Sequence, residues 1–477
     1  MASNNNHLKI HQHLKVVPPS SSTQTTTTTT IPLTFLDLLW LRFHPVERLF
    51  FYTLPISQSH PSFFFQNLVP ILKSSLSLTL QHFLPLAGKI IWPLDSSKPF
   101  IQFNPNDDNN GVSLLIAESD SDFNHLIQNS PKKTSLSRSF IPVLESTDVF
   151  ASIVSIQITL FPRNGFSIGI STHHAVLDGK SSTMFIKAWA YLCKKITENE
   201  KSPTLLPELE PLLDRESIKD RDGLSDIFAN ILTEMFTNEK ANKRSLKILP
   251  FEPKLEDYVR ATFELKREDL NKIKESVLSK WEIFNTNESK PKSLSSFVLT
   301  CAYSLVCVAK AIQEIQNEKE KFAFSFIVDC RARLEPPIAS NYFGNCVWGH
   351  LVDTKPLDFI DEDGVFLVAK CIHEKIKMIN ENDVLEGAKD MIGKITSLMK
   401  EGYEIIGVAG SNRFEVYEND FGWGRPEKVE IVSIDRNLTI GLADSKDGRG
   451  GIEIGLVLNK HVMDVFSTLF FEGLSLC

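Results

Sequence analysis

The chain has no C-x-x-C pair, and its seven cysteines (Cys193, Cys301, Cys307, Cys330, Cys346, Cys371 and Cys477) are an odd number. Most of them read as buried thiols in a reducing compartment, the cytosol. No secretory apolar region precedes the polar start, and no apolar run reaches the ~18 residues of a membrane span. The longest, at residues 297–309, is interrupted by Thr300, Ser304 and cysteines. The final residues "GLSLC" form neither a peroxisomal address nor a prenylation box. Positive charge is in short supply: 51 Lys and Arg face 59 Asp and Glu, for a net −8. Nucleic-acid binding is therefore disfavoured. No G-x-S-x-G elbow occurs, which removes the common serine-hydrolase reading. "DGKSS" resembles the end of a phosphate loop, but the first glycine of that motif would fall at position 174, which is histidine.

What is present is ample apolar volume, 42% hydrophobic residues with 33 Phe. At 477 residues the chain is too long for one core, so two domains are expected. Residues 1–30 are low in complexity and expected to be largely disordered, although "LKVVP" could add a short strand. "HPSFFFQNLVPILKSSLSLTLQHFLPLAG" has helical spacing, and "VFASIVSIQITLF" and "GFSIGIST", joined by "PRNG", predict a hairpin. "KSSTMFIKAWAYLCKKI" is a helix with a cationic end, which suits the macrodipole. A charged, Pro-rich stretch then marks a crossover at 201–240, between an N-terminal domain at 31–200 and a C-terminal domain at 241–477. Strands and helices mix in both halves, so the class is α/β.

The hairpin delivers the chain to "ISTHHAVLDGKSSTMFIKAW", Ile170–Trp189. A shared metal is disfavoured because successive strand residues point to opposite faces. "HEKIK" at His373 likewise carries Lys377 where a second zinc-binding histidine would stand. A histidine at a strand end, then a turn with Gly179, then a helix, presents an imidazole at a cleft. There it can take a proton from a hydroxyl and return it to a leaving group. Asp178 could bond to that histidine or to a distant cation. A second stretch, "YENDFGWGRPEKVEIV", reads as a tight turn followed by a strand. It offers no nucleophile and only Asp420 as an acid.

Taken together, "HHAVLDG" and "DFGWG" resemble the paired signature of the plant BAHD acyltransferases. "LTFLDLLW", "LSLTLQHFLPLAGKI", "VDCRARL", "NYFGNC" and "VAGSNRFEVYENDFGWGRP" look like that family's segments in the same order, over about residues 15–475. "YFGNC" and "THHAVLDGKSSTMFIKAW" resemble its malonyltransferases of anthocyanins and phenolic glycosides. The resemblance implies two chloramphenicol-acetyltransferase-like domains with a central channel at their interface. It implies no permanently bound cofactor, acyl-CoA (malonyl-CoA first) as co-substrate, a phenolic glucoside as acceptor, and a monomer; the alternatives are a hydroxycinnamoyl-CoA donor with the same acceptors, or a non-catalytic ligand-binding relative. It makes His174 the general base and gives Asp178, Gly179 and Arg331 a supporting role. It makes Asp420, Phe421, Gly422, Trp423 and Gly424 structural. A malonyl carboxylate calls for a cation, with Lys180 and Arg413 as candidates. Asp37, Trp40, Ser411 and Asn412 are candidates for lining the acceptor side, and Asn412 stands where relatives often have proline.

Overall fold

The computed structural model describes residues 8–19, 27–107, 110–235, 245–249, 257–284, 290–316 and 321–476. Two large sheets organise it. The first has six strands in the order Leu8–Val16, Val112–Ser119, Val154–Phe161, Gly165–Thr172, Val46–Thr53 and Lys428–Ile431. The second has seven, running Val347–Val352, Lys321–Asp329, Tyr403–Ser411, Thr439–Asp444, Ile452–Asn459, Tyr258–Leu265 and Lys132–Lys133. A small four-stranded sheet (Thr29–Pro32, Phe100–Phe103, Lys89–Ile91, Phe150–Ser152) adjoins the first half.

The predicted hairpin pairs Gly165 with Phe161 and ends with Thr172 opposite Val154. All eight positions of each strand are buried. Both strands alternate apolar residues with small or polar ones (Ser155, Gln157, Thr159, Ser167, Ser171), yet both faces are covered. The helix Gly179–Thr197 follows at once and buries eleven side chains, from Ser181 to Cys193. Its register carries His174 to the mouth of the sheet and Thr197 to the far end, about 27 Å along the axis.

Three strand placements bear on the expected layout. Leu8–Val16 runs antiparallel to Val112–Ser119 at the sheet edge and takes in the start of "LKVVP", where a short strand is expected. Lys428–Ile431 of the C-terminal half pairs with Arg48–Phe51 in the first sheet. Lys132 and Lys133 of the N-terminal half pair with Val259 and Arg260 in the second. The halves thus exchange edge strands, and buried charges hold the exchange. The Lys132 ammonium lies 2.7 Å from the Glu430 carboxylate. Arg260 donates to the Ile431 and Val432 carbonyls at 2.8 and 2.7 Å. Such segments read as surface charge in sequence because their partners lie hundreds of residues away. Likewise Ser296–Ile315 is long and apolar enough to cross a membrane, yet 78% of it is buried in the protein. It is a core helix, packed against Gly364–Glu381 and Lys460–Leu476.

The DFGWG turn delivers the exchanged strand. Asp420 accepts from the Gly422 and Gly424 amides at 2.8 and 2.9 Å and pairs with Lys194 at 2.9 Å. Phe421 packs edge-on to Trp189, ring centroids 4.8 Å apart, and Trp423 edge-on to Phe166 at 6.1 Å. The motif therefore sits on the far end of the helix that starts at Gly179. Gly422 has φ +103°, and a Cβ there would run into the Thr197 hydroxyl. Gly422→Ala is expected to cost on the order of 3 kcal/mol of stability, from strain plus overpacking. Activity per folded molecule should stay unchanged, as read by thermal melts and active-site-normalised turnover.

Candidate active site

His174 is the second residue beyond the strand pairing, and its half-buried ring stands at the junction of the two halves. Trp40 covers one face of the imidazole, with centroids 3.9 Å apart and planes within 7°. Phe43 meets the ring edge-on at 5.9 Å. Burial pushes the imidazole down to about 4, although its own carbonyl, Asp178 and Asn345 all pull it back up. The ring is therefore neutral at pH 7, the form a base requires. Nδ1 is buried and makes no hydrogen bond, which leaves Nε2 as the nitrogen to face a substrate. His173 points the other way, fully buried and accepting at Nδ1 from the Ala175 amide at 3.2 Å.

Asp178 does not face His174. Its carboxylate caps the helix Gly179–Thr197 by accepting from the Ser181 amide at 2.8 Å, and accepts from the Cys346 amide at 3.0 Å. Arg331 reaches it at 2.8 Å, both side chains being about 1% exposed. The guanidinium also donates to Asp329 at 2.9 Å and to the Tyr342 and Gly344 carbonyls at 3.1 and 3.2 Å. Burial alone would lower the Arg331 pKa; Asp178 and Asp329 outweigh it and raise the group above its ordinary range. Asp178, Arg331 and the turn at Gly179, on which Phe414 packs, form one rigid joint between the halves.

Of the acceptor-side candidates, Trp40 lies against the His174 ring. Asp37 does not line a cleft. It is fully buried, accepting from Thr34 N and Oγ1 (2.8 and 2.9 Å) and from Asn345 N and Nδ2 (3.2 and 3.0 Å). A carboxylate one turn from an apolar helix start is drawn inward when the distant chain supplies donors. Ser411 ends the strand Tyr403–Ser411, and its hydroxyl accepts from the Arg413 amide at 3.2 Å. Asn412 donates to the Ser296 hydroxyl at 3.4 Å. Of the two cations, Lys180 lies 3.4 Å from Asp329, whereas Arg413 is exposed with no carboxylate partner among the described residues.

Two residues escaped the sequence reading. Asn345 donates from Nδ2 to the His174 carbonyl at 2.8 Å and so fixes the backbone that carries the imidazole. Its place in "YFGNC" was the available signal. Arg48 is a buried guanidinium with two neutral acceptors, the Thr183 hydroxyl at 2.7 Å and the Gly179 carbonyl at 3.4 Å. Phe414 lies over it at 5.4 Å, and burial pushes its pKa down to about 10.

The fold can be compared directly. The crystal structure of vinorine synthase superposes with a TM-score of 0.66 over 96% of each chain at 20% identity, so the two chains share a fold. The family model described as "Transferase family" matches residues 8–472. The chain belongs to this family, the BAHD acyl-CoA-dependent acyltransferases. Among similar proteins, phenolic glucoside malonyltransferase 1 of Arabidopsis thaliana is 42% identical over 93% of each chain. Malonyl-CoA:anthocyanidin 5-O-glucoside-6''-O-malonyltransferase of the same organism is 37% identical over 99% of this chain and 100% of its own.

Two outcomes follow from this geometry. kcat/KM should hold level through neutrality and fall on the acid side through about 4, because protonation removes the base. A limb near the ordinary imidazole value would show a solvated ring, and brief-exposure assays across pH decide the matter. Arg331→Met leaves Asp178 as a buried unpaired charge and should cost about 3–5 kcal/mol in chemical denaturation.

Proposed function

We propose that this chain transfers the malonyl group of malonyl-CoA to a sugar hydroxyl of a phenolic glucoside of the flavonoid or anthocyanin type. The observation that carries the chemistry is a neutral imidazole, His174, stacked on Trp40 at the junction of the two halves. The malonyltransferase relatives that align along the chain support the choice of donor and acceptor.

In the proposed reaction both substrates bind before chemistry, in a channel between residues 31–200 and 241–477, with 201–240 as the crossover. His174 Nε2 takes the proton of the sugar hydroxyl as its oxygen attacks the thioester carbonyl. The tetrahedral adduct collapses, the carbon–sulfur bond breaks, and the proton on His174 passes to the departing CoA thiolate. No acyl-enzyme forms. A positioned base supplies typically ~10²–10⁴-fold, and alignment of the two substrates supplies much of the remainder. Arg413 is the better candidate for the malonyl carboxylate, since the Lys180 ammonium pairs with Asp329. The reading includes a monomer acting in the cytosol, where thiols are kept reduced.

The test gives the purified enzyme a flavonoid 7-glucoside with malonyl-CoA, acetyl-CoA or p-coumaroyl-CoA in separate reactions, with products identified by mass spectrometry. Malonyl ester should predominate. His174→Ala should lower kcat by ~10²–10⁴ with an unchanged melting temperature. Coumaroyl ester as the main product would overturn the donor assignment, and full turnover by His174→Ala would overturn the mechanism.

A further inference from the structure

The crossover holds a buried cation that the reaction as described does not use. Residues 210–215 lie along the loop that precedes Asn345. Asn341 Nδ2 donates to the Glu210 carbonyl at 2.9 Å, and the Leu212 amide donates to the Asn341 carbonyl at 2.9 Å. The Phe343 amide then donates to the Leu212 carbonyl at 2.8 Å. This is a short parallel bridge, with Leu212 opposite Tyr342. At its end Arg215 turns inward and is 6% exposed. Nη1 donates to the Tyr342 hydroxyl at 2.8 Å and lies 3.9 Å from the Asp37 carboxylate. Residue 344 is glycine because any Cβ there would occupy the space of this guanidinium.

As a stabilising device the arrangement is poor. The ion pair is long, both partners are desolvated, and the buried Arg215 Nε has no hydrogen-bond partner. Buried pairs of this kind often contribute less than apolar packing would. What the arrangement does supply is a fixed line of contacts. Arg215 faces Asp37; Asp37 accepts from the amide and the side chain of Asn345; and the same Asn345 Nδ2 donates to the His174 carbonyl. Arg215 is the one ion-pair partner of the fully buried Asp37 among the described residues.

We propose that Arg215 is a positioning residue for acyl transfer: anchored by the crossover, it fixes Asp37 and Tyr342, through them Asn345, and through Asn345 the placement of His174. The crossover is thereby a working part of the active site. This inference rests on His174 being the base.

The test compares kcat and both KM values for Arg215→Met, Asn345→Ala and the double variant, alongside His174→Ala. Misplacement of a base by about an ångström costs about 100-fold, so Arg215→Met should lower kcat about 10- to 100-fold with both KM values within about threefold of wild type. The double variant should be no slower than Asn345→Ala within about twofold, because Arg215 acts through Asn345. Should Arg215→Met not fold, Tyr342→Phe, which removes only the hydroxyl that Arg215 holds, replaces it in the same cycle with a several-fold loss of kcat expected. Losses that multiply, an effect on KM alone, or unchanged kcat would each overturn the relay while His174→Ala remains inactive. Full activity in His174→Ala would overturn the base reading and the relay with it.

Discussion

The buried pair between Arg331 and Asp178 is the joint on which the site depends. It links the turn after one half's central hairpin to the loop after the other half's strand Lys321–Asp329, at 2.8 Å and almost fully out of water. Desolvating both ions is expensive, and here the expense is offset by the number of satisfied partners. Asp178 accepts two backbone amides besides the guanidinium, and Arg331 also reaches Asp329, Ser181 and two carbonyls. Such a joint has one geometry. It holds the Gly179–Thr197 helix, the strand end carrying His174 and the YFGNC loop in fixed relation, which a two-substrate reaction needs.

The exchanged edge strands serve the same end at larger scale. With Lys428–Ile431 laid on the first sheet and Lys132–Lys133 on the second, the halves cannot part without breaking backbone pairing on both sides. The DFGWG turn belongs to this scaffold. Its aromatic rings and the Asp420–Lys194 pair lock the approach of the exchanged strand to the far end of the catalytic-turn helix. A motif that carries no chemistry can still be indispensable when it decides where a strand goes.

Much of this was legible in the sequence because it is local. Hairpin, cap, helix and glycine turn follow from spacing over ten to twenty residues, and the position of His174 follows from strand alternation. Asp178 was readable as either a partner of the histidine or a partner of a distant cation. The family resemblance, and not the spacing, pointed to Arg331, which the fold brings to it from more than a hundred residues downstream. Asp37 shows the reverse error: beside Trp40 it looks like part of a cleft wall, but donors from Asn345 draw it into the interior. The exchanged strands were illegible for the same reason. Lys132, Glu430 and Arg260 look like surface charge until each is seen to be another's counter-ion.

The electrostatics of the base follow from where Asp178 is used. Had its carboxylate turned toward His174, the attraction would have raised the imidazole pKa and stored a proton on the ring at neutral pH. With Arg331 engaging that charge, burial dominates and the ring stays neutral. A neutral imidazole in a dry, aromatic setting is a weak base in its resting state. It gains strength when charge develops on the attacking oxygen, because little solvent is present to screen the new imidazolium from it. The same low polarity would penalise an imidazolium waiting without a partner. In the proposed reaction the histidine charges only with both substrates in place, and burial is what keeps it uncharged until then.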